Sequence, residues 1–248
     1  MATEPEITKN MLIPMVIERT ANGERAMDLI SRLLEDRVIL LMGPIDDGMA
    51  ASINAQLWLL ENDKPGERID IYINSPGGSV TSGLAMYNVM KNITSPIRTI
   101  CCGMAASMGA VLLSSGDERV IMPDSRVMIH QASGGYEGTT SDSVVAVEQL
   151  VLANERCAEI IAWNTGKAVS EVMKDWGSGS AGLWLGSEAA LKYGIVDEIV
   201  EPVNVAGKKP QAPHGPEAVD MGMPGSARNA AQGAKSPQAK GGEVGGLS

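Results

Sequence analysis

Apolar positions recur with two different periods between residues 24 and 200. In ERAMDLISRLLED (24–36), Ala26, Ile30 and Leu33 stand at helical spacing, with Leu29 and Leu34 on the same face, which predicts a helix. RVILLMG (37–43) is a short apolar run stopped by Gly-Pro and predicts a buried strand. Asp46 or Asp47 caps a following helix that carries Met49, Ile53, Leu57 and Leu60. IDIYI (69–73) then reads as a strand, NSPGGSV (74–80) as a turn and 81–92 as a helix. IRTICCG (97–103) is a strand, and ASMGAVLLS (106–114) is apolar enough for a buried helix. RVIM (119–122) and RVMIH (126–130) are strands around a Pro-Asp-Ser turn. Residues 141–165 form the longest helix, EAALKYG (188–194) a short one closed by Gly194, and IVDEIV (195–200) a last strand. Strands separated by helices define an α/β chain with a mainly parallel sheet.

Periodicity stops near Pro202. Residues 203–248 are rich in Gly, Ala and Pro and cannot bury enough surface to offset their ordering entropy, so disorder is expected there. Residues 1–10 are polar and aperiodic, a second unstructured end. The expected organisation is therefore 1–10 unstructured, one domain over 11–202, and a tail over 203–248.

Composition narrows the function classes. No window has about 18 consecutive apolar residues, so no membrane span is expected, and the first ten residues lack the features of a secretory signal. A net charge of −10 over 248 residues, with no basic stretch interleaved with aromatics, argues against nucleic acid. Three cysteines without C-x-x-C spacing read as small buried residues of a reducing, cytoplasmic compartment. Only two histidines are present, and His214 lies in the tail, so no metal site is expected; no cofactor is expected either.

In open α/β sheets, ligands gather beyond the carboxyl ends of strands. Three segments end there. Ser107 follows a strand and opens a helix, where backbone N–H groups lack partners; it reads either as an N-cap or as a nucleophile with oxyanion donors beside it, the Met108 amide among them. His130 ends another strand and is the only histidine of the body. It reads either as a satisfied core residue or as the base that takes the Ser107 proton. Gly77-Gly78 makes a tight turn or a site of unshielded amides, and the pattern is not a phosphate loop. Together these elements suggest acyl transfer.

The runs IPMVIERTANGERAMDLISRLLEDRVILLMGPI, IDIYINSPGGSVTSGLAMYNVM, GMAASMGAVLLSSG, MPDSRVMIHQASGGYEG and YGIVDEI resemble the ClpP family of Clp peptidase subunits over about residues 11–201. The resemblance implies an α/β, crotonase-like spiral of ββα units with residues 141–165 as a handle helix. It implies a homo-oligomer of heptameric rings stacked as a tetradecamer, fed with polypeptide substrates by an AAA+ Clp unfoldase that alone uses ATP. Ser107 matches the nucleophile, His130 the general base, and the Gly78 and Met108 amides the oxyanion hole. The first ten residues match a short propeptide.

Two segments depart from the family. Where relatives carry the catalytic Asp, this chain reads KDWGSGSAGLWLGSEAALKYG; Asp175 aligns with an earlier Asp of the segment, and the catalytic position falls near Gly182. Asp175 completes a triad only if the Gly-rich stretch re-routes the chain, and otherwise reads as a loop or capping residue. A catalytically weak or inactive ring subunit working with an active paralogue is the alternative. The aromatic pair that relatives place in the strand before NSPGG is Asp70 and Tyr72 here, which implies altered docking of the ATPase.

Overall fold

A computed structural model describes residues 14–20, 23–135, 138–177 and 182–200. The chain divides into two units, 1–202 and 203–248, and every described residue belongs to the first. The expectations for residues 1–10 and for the tail fall outside the described residues.

Two strands, β1 (Met15–Thr20) and β2 (Gly23–Asp28), form an antiparallel hairpin from Met15↔Asp28 to Thr20↔Gly23. Residues 24–28 are therefore strand, where the apolar spacing predicted helix. The helix α1 (Leu29–Glu35) begins only after Asp28, whose carboxylate accepts from the Ser31 N–H at 2.9 Å. The Asp28 cap and the pairing with β1 override the helical spacing of Ala26 and Ile30.

The sheet of the domain is built from β3 (Val38–Met42), β4 (Ile69–Ser75), β5 (Ile97–Ala106), β6 (Glu118–Ile121) and β9 (Glu198–Ile199), all parallel neighbours in that order. Between them run α2 (Asp47–Asp63), α3 (Val80–Asn92) and α4 (Met108–Ser114). Asp46 is the cap of α2, accepting from the Met49 N–H, and Ile53, Leu57 and Leu60 are its buried face. The strand β5 is longer than the apolar run suggested. Its first half pairs with β6, whereas its last residues, Met104–Ala106, pair in parallel with β7 (Arg126–Ile129).

The long helix α5 (Thr140–Thr165) opens on a capping box at Thr139 and Asp142 and ends on Gly166. Only its last third is buried, through Cys157, Ala158, Ile160, Ile161 and Ala162. Its first half leaves Val144, Val145, Val147, Val151 and Leu152 exposed. Besides β1, two elements were not predicted: α6 (Val169–Asp175), and β8 (Leu183–Gly186), which pairs antiparallel with β7. The helix α7 (Ser187–Tyr193) closes on Gly194. The core is aliphatic, with Ile39, Ile71, Ile73, Leu112 and Leu113 almost inaccessible, and Trp176 is the one fully buried aromatic among the described residues. Among the described residues, no helix is long and apolar enough to cross a membrane.

Candidate active site

Strand pairing places Ser107 and His130 side by side. Ala106 stands opposite Met128 in the β5–β7 ladder, so Ser107 is the first residue beyond one strand and His130 the first beyond the other. The Ser107 N–H donates to the Met128 carbonyl at 2.8 Å, which ties the serine to the strand that delivers the histidine. The His130 Nε2 lies 2.8 Å from the Ser107 Oγ.

Ser107 has φ +55° and ψ −122°, outside the ordinary regions for a side-chain-bearing residue. Such a conformation costs about 1–3 kcal/mol and persists where the surroundings enforce it. It occupies the N-cap position of α4 but makes no side-chain cap bond. The capping role open in the sequence is not taken up. The hydroxyl turns to the imidazole instead, on a sharp strand-to-helix turn of the kind that exposes nucleophiles.

The Gly77-Gly78 turn packs directly against this bend. A Cβ on Gly77 would stand 2.6 Å from the Ser107 Cβ and 3.0 Å from the Met108 nitrogen. Gly78 bridges Ile45 in parallel: the Ile45 N–H donates to the Gly77 carbonyl and the Ser79 N–H to the Ile45 carbonyl, both at 2.9 Å. That pattern uses the neighbours of Gly78 and leaves its own N–H outside the bridge. Met108 is the first residue of α4, so its N–H has no acceptor within the helix. The two amides expected to form an oxyanion hole thus belong to segments in contact. Gly78 adopts φ +152°, and a Cβ there would overlap the Ile45 carbonyl. Gly78→Ala is expected to cost about 2–4 kcal/mol of stability, through strain plus displacement of Ile45. Urea unfolding midpoints check this, and an unchanged midpoint contradicts it.

The histidine's other nitrogen is unusual. The His130 Nδ1 is buried and has no hydrogen-bond partner among the described residues. Asp175 does not reach it. At the end of α6, the Asp175 Oδ2 accepts a bond from the Tyr193 hydroxyl at 3.0 Å. That bond and burial together push the Tyr193 pKa upward, burial being the larger cause. The expectation that Asp175 orients the imidazole is therefore not met in this structure. Asp175→Asn is expected to change the rate of Ser107 acylation by less than about threefold, against roughly 10⁴-fold for an acid that orients a catalytic histidine. Stopped-time labelling with a fluorophosphonate measures the difference.

Gly182, near the position of the family's acid, leaves no room for a side chain of its own. It has φ +61°, and a Cβ on it would stand 2.7 Å from the Ile129 carbonyl and 2.9 Å from the His130 Cβ. The backbone itself lies against the histidine there, and the β7–β8 pairing fixes it through Ile129↔Leu183. Only glycine fits.

Burial lowers the His130 pKa from its usual 6.5, because the cationic ring is poorly solvated. A lowered pKa keeps the imidazole neutral, and so able to accept a proton, down to more acidic pH. The rate of Ser107 acylation is therefore expected to be level above pH 6.5 and to fall about tenfold per pH unit only below the lowered pKa. A pH–rate midpoint above 7 contradicts this. Cys157 lines one small cavity with Ser107 and His130, and burial raises its thiol to about 11, so it carries little thiolate near neutral pH.

At the site proposed by sequence for ATPase docking, Asp70 is not an isolated carboxylate. It pairs with the Arg68 guanidinium at 2.9 Å and lies 3.9 Å from that of Arg98, which also faces Glu118 at 3.8 Å. A polar cluster stands where the resemblance implies an aromatic pair.

With the geometry in place, an α/β domain with a strained serine at a strand-to-helix turn and a histidine against its hydroxyl defines the class: a serine-hydrolase-like site on a ClpP-type fold. The chain belongs to the Clp protease family, whose family model matches residues 21–203. That membership supports a ClpP-like peptidase, a hydrolase of a family whose members generally form rings with Clp ATPases.

Proposed function

We propose that the protein is a serine endopeptidase that hydrolyses unfolded polypeptides or short peptides through a Ser107–His130 pair. The observation that carries the reading is the 2.8 Å contact between the His130 Nε2 and the Oγ of a serine held at φ +55°. In the acylation step the Ser107 Oγ attacks the scissile carbonyl as His130 takes its proton, and the Gly78 and Met108 amides stabilise the oxyanion. His130 then gives that proton to the leaving amine, and water, deprotonated by the same ring, releases the acyl group. The imidazole lacks a carboxylate partner in the described residues, so the pair works as a dyad, slower than a full triad.

Assembly into heptameric rings stacked as a tetradecamer belongs to the same proposal, with the exposed valines of α5 as the apolar handle surface. An AAA+ Clp unfoldase would feed the chamber and would itself use the ATP; no cofactor is assigned to the peptidase. The Arg68–Asp70–Arg98 cluster favours a docking loop with polar as well as apolar contacts. A cytoplasmic location is part of the proposal, as is removal of the first ten residues.

A second reading is favoured by one observation, the unpartnered His130 Nδ1. In it the chain is a weak or idle ring subunit that works beside an active paralogue. Incubating the purified, assembled protein with casein and with short fluorogenic peptides separates the two. Turnover lost in Ser107→Ala supports the first, and none from a confirmed ring supports the second.

A further inference from the structure

The cavity beside Ser107 has an unusual wall. It is lined by Ser107, His130, Val111, Ile161 and Trp176 among others, and encloses only about 20 Å³. Space of about 10–15 Å³ by this measure takes one water, so this cavity admits one water or one methyl group. The indole of Trp176 is 2% exposed and is among the largest fully buried side chains of the domain. Its position is fixed from both sides. The Trp176 N–H donates to the Val172 carbonyl, Asp175 before it is held by the Tyr193 hydroxyl, and the Gly177 N–H after it donates to the Lys174 carbonyl. Its own Nε1 is buried without a partner, so the ring is not anchored there by a hydrogen bond and is held by packing.

A cavity that opens beside both the nucleophile and the base, with apolar walls, is where the side chain next to the scissile carbonyl goes. We propose that Trp176 closes this pocket to all but the smallest side chains, so that Ser107 acylates after glycine, alanine or serine rather than after leucine, methionine or an aromatic residue. Trp176 is thus a specificity-determining residue. The inference rests on the reading of Ser107 as the nucleophile. One methylene more or less in a fitted apolar pocket changes discrimination by about 10–200-fold. An isobutyl group therefore enters at least about tenfold less readily than a methyl group unless the indole is displaced.

The test uses the full chain in its assembled form and three phosphorus reagents, each of which bonds to the Ser107 Oγ as fluoride or phenoxide leaves. One is a simple alkyl fluorophosphonate. The other two are diphenyl phosphonates that differ only in carrying an alanine-like methyl or a leucine-like isobutyl group. Intact-mass analysis follows each adduct with time. The expected result is that the unmodified sequence takes the methyl reagent at least about tenfold faster than the isobutyl one. Trp176→Ala is expected to reverse that order, and Trp176→Phe to fall between. Equal rates for the two diphenyl phosphonates in the unmodified protein overturn the inference, whether or not the variants fold. An unchanged ratio in a folded Trp176→Ala protein does so too. Absence of any fluorophosphonate adduct at Ser107 instead overturns the nucleophile reading beneath it.

Discussion

Ser107→Ala is expected to abolish both peptide hydrolysis and covalent labelling while leaving the domain folded. Chemistry and packing point the same way. The Ser107 hydroxyl makes its side-chain bond to His130 and none to the backbone of α4, so its removal takes away the attacking oxygen without uncapping the helix. Backbone bonds keep the turn in place, with the Ser107 N–H on the Met128 carbonyl and the Ala110 N–H on the Ser107 carbonyl at 3.0 Å. Alanine at φ +55° meets the same backbone strain as serine, so the unfolding midpoint should move little. In serine hydrolases the loss of a nucleophile costs about 10⁶-fold in turnover, with residual rate supplied by the oxyanion donors and binding. Hydrolysis of a fluorogenic peptide, followed with the variant and with the unmodified protein at equal concentration, measures the loss. Retention of a tenth of the activity would place the nucleophile elsewhere.

His130→Ala carries the second largest expected effect, about 10²- to 10⁴-fold on acylation of Ser107. The base contributes by taking the hydroxyl proton as the bond to carbon forms, and its Nε2 already lies at hydrogen-bond distance from that hydroxyl. The effect should stay nearer the lower end of the range than in a full triad. An imidazole whose Nδ1 has no acceptor among the described residues is free to choose the wrong tautomer, and its cation gains no counter-charge from them. The variant should also lose the acid limb of the pH–rate profile, because the group that titrates there is gone. A profile that keeps the limb would assign it to another residue. Second-order rate constants for fluorophosphonate labelling across pH 5–9 give both the magnitude and the limb.

Much of this architecture is legible in the chain because its signals are local. The strand over 38–42 is a bare apolar run, α2 announces itself by Asp46 and by buried residues at 53, 57 and 60, and α7 ends where Gly194 demands it. The Ser107–His130 contact is long-range, yet both residues sit at strand ends that the alternation of elements brings to one edge of a parallel sheet. What the sequence hides depends on pairing rather than pattern. Residues 24–28 carry spacing that suits a helix, and only the partner strand at 15–20 makes them extended. The strand β8 is four residues long and gains its hydrogen bonds from β7. That pairing brings Gly182 against His130, and no spacing rule foretells that a glycine backbone will lie where a carboxylate was sought. Asp175 shows the same limit. It is near the right place in the chain, but a tyrosine in α7 takes its carboxylate. Trp176 was open to notice as the large aromatic beside a Gly-rich stretch in a chain of only 3% aromatics, although its place on the wall beside Ser107 is a tertiary fact.

The central claim is that a serine held at a strained turn is activated by one histidine with no acid of its own among the described residues. Intact-mass analysis of the assembled protein after treatment with an alkyl fluorophosphonate tests it most directly. The account predicts one adduct per chain, mapped to Ser107, forming at nearly the same rate in Asp175→Asn. An assembled protein that takes up no adduct at Ser107, or an Asp175→Asn variant labelled thousands of times more slowly, would contradict it.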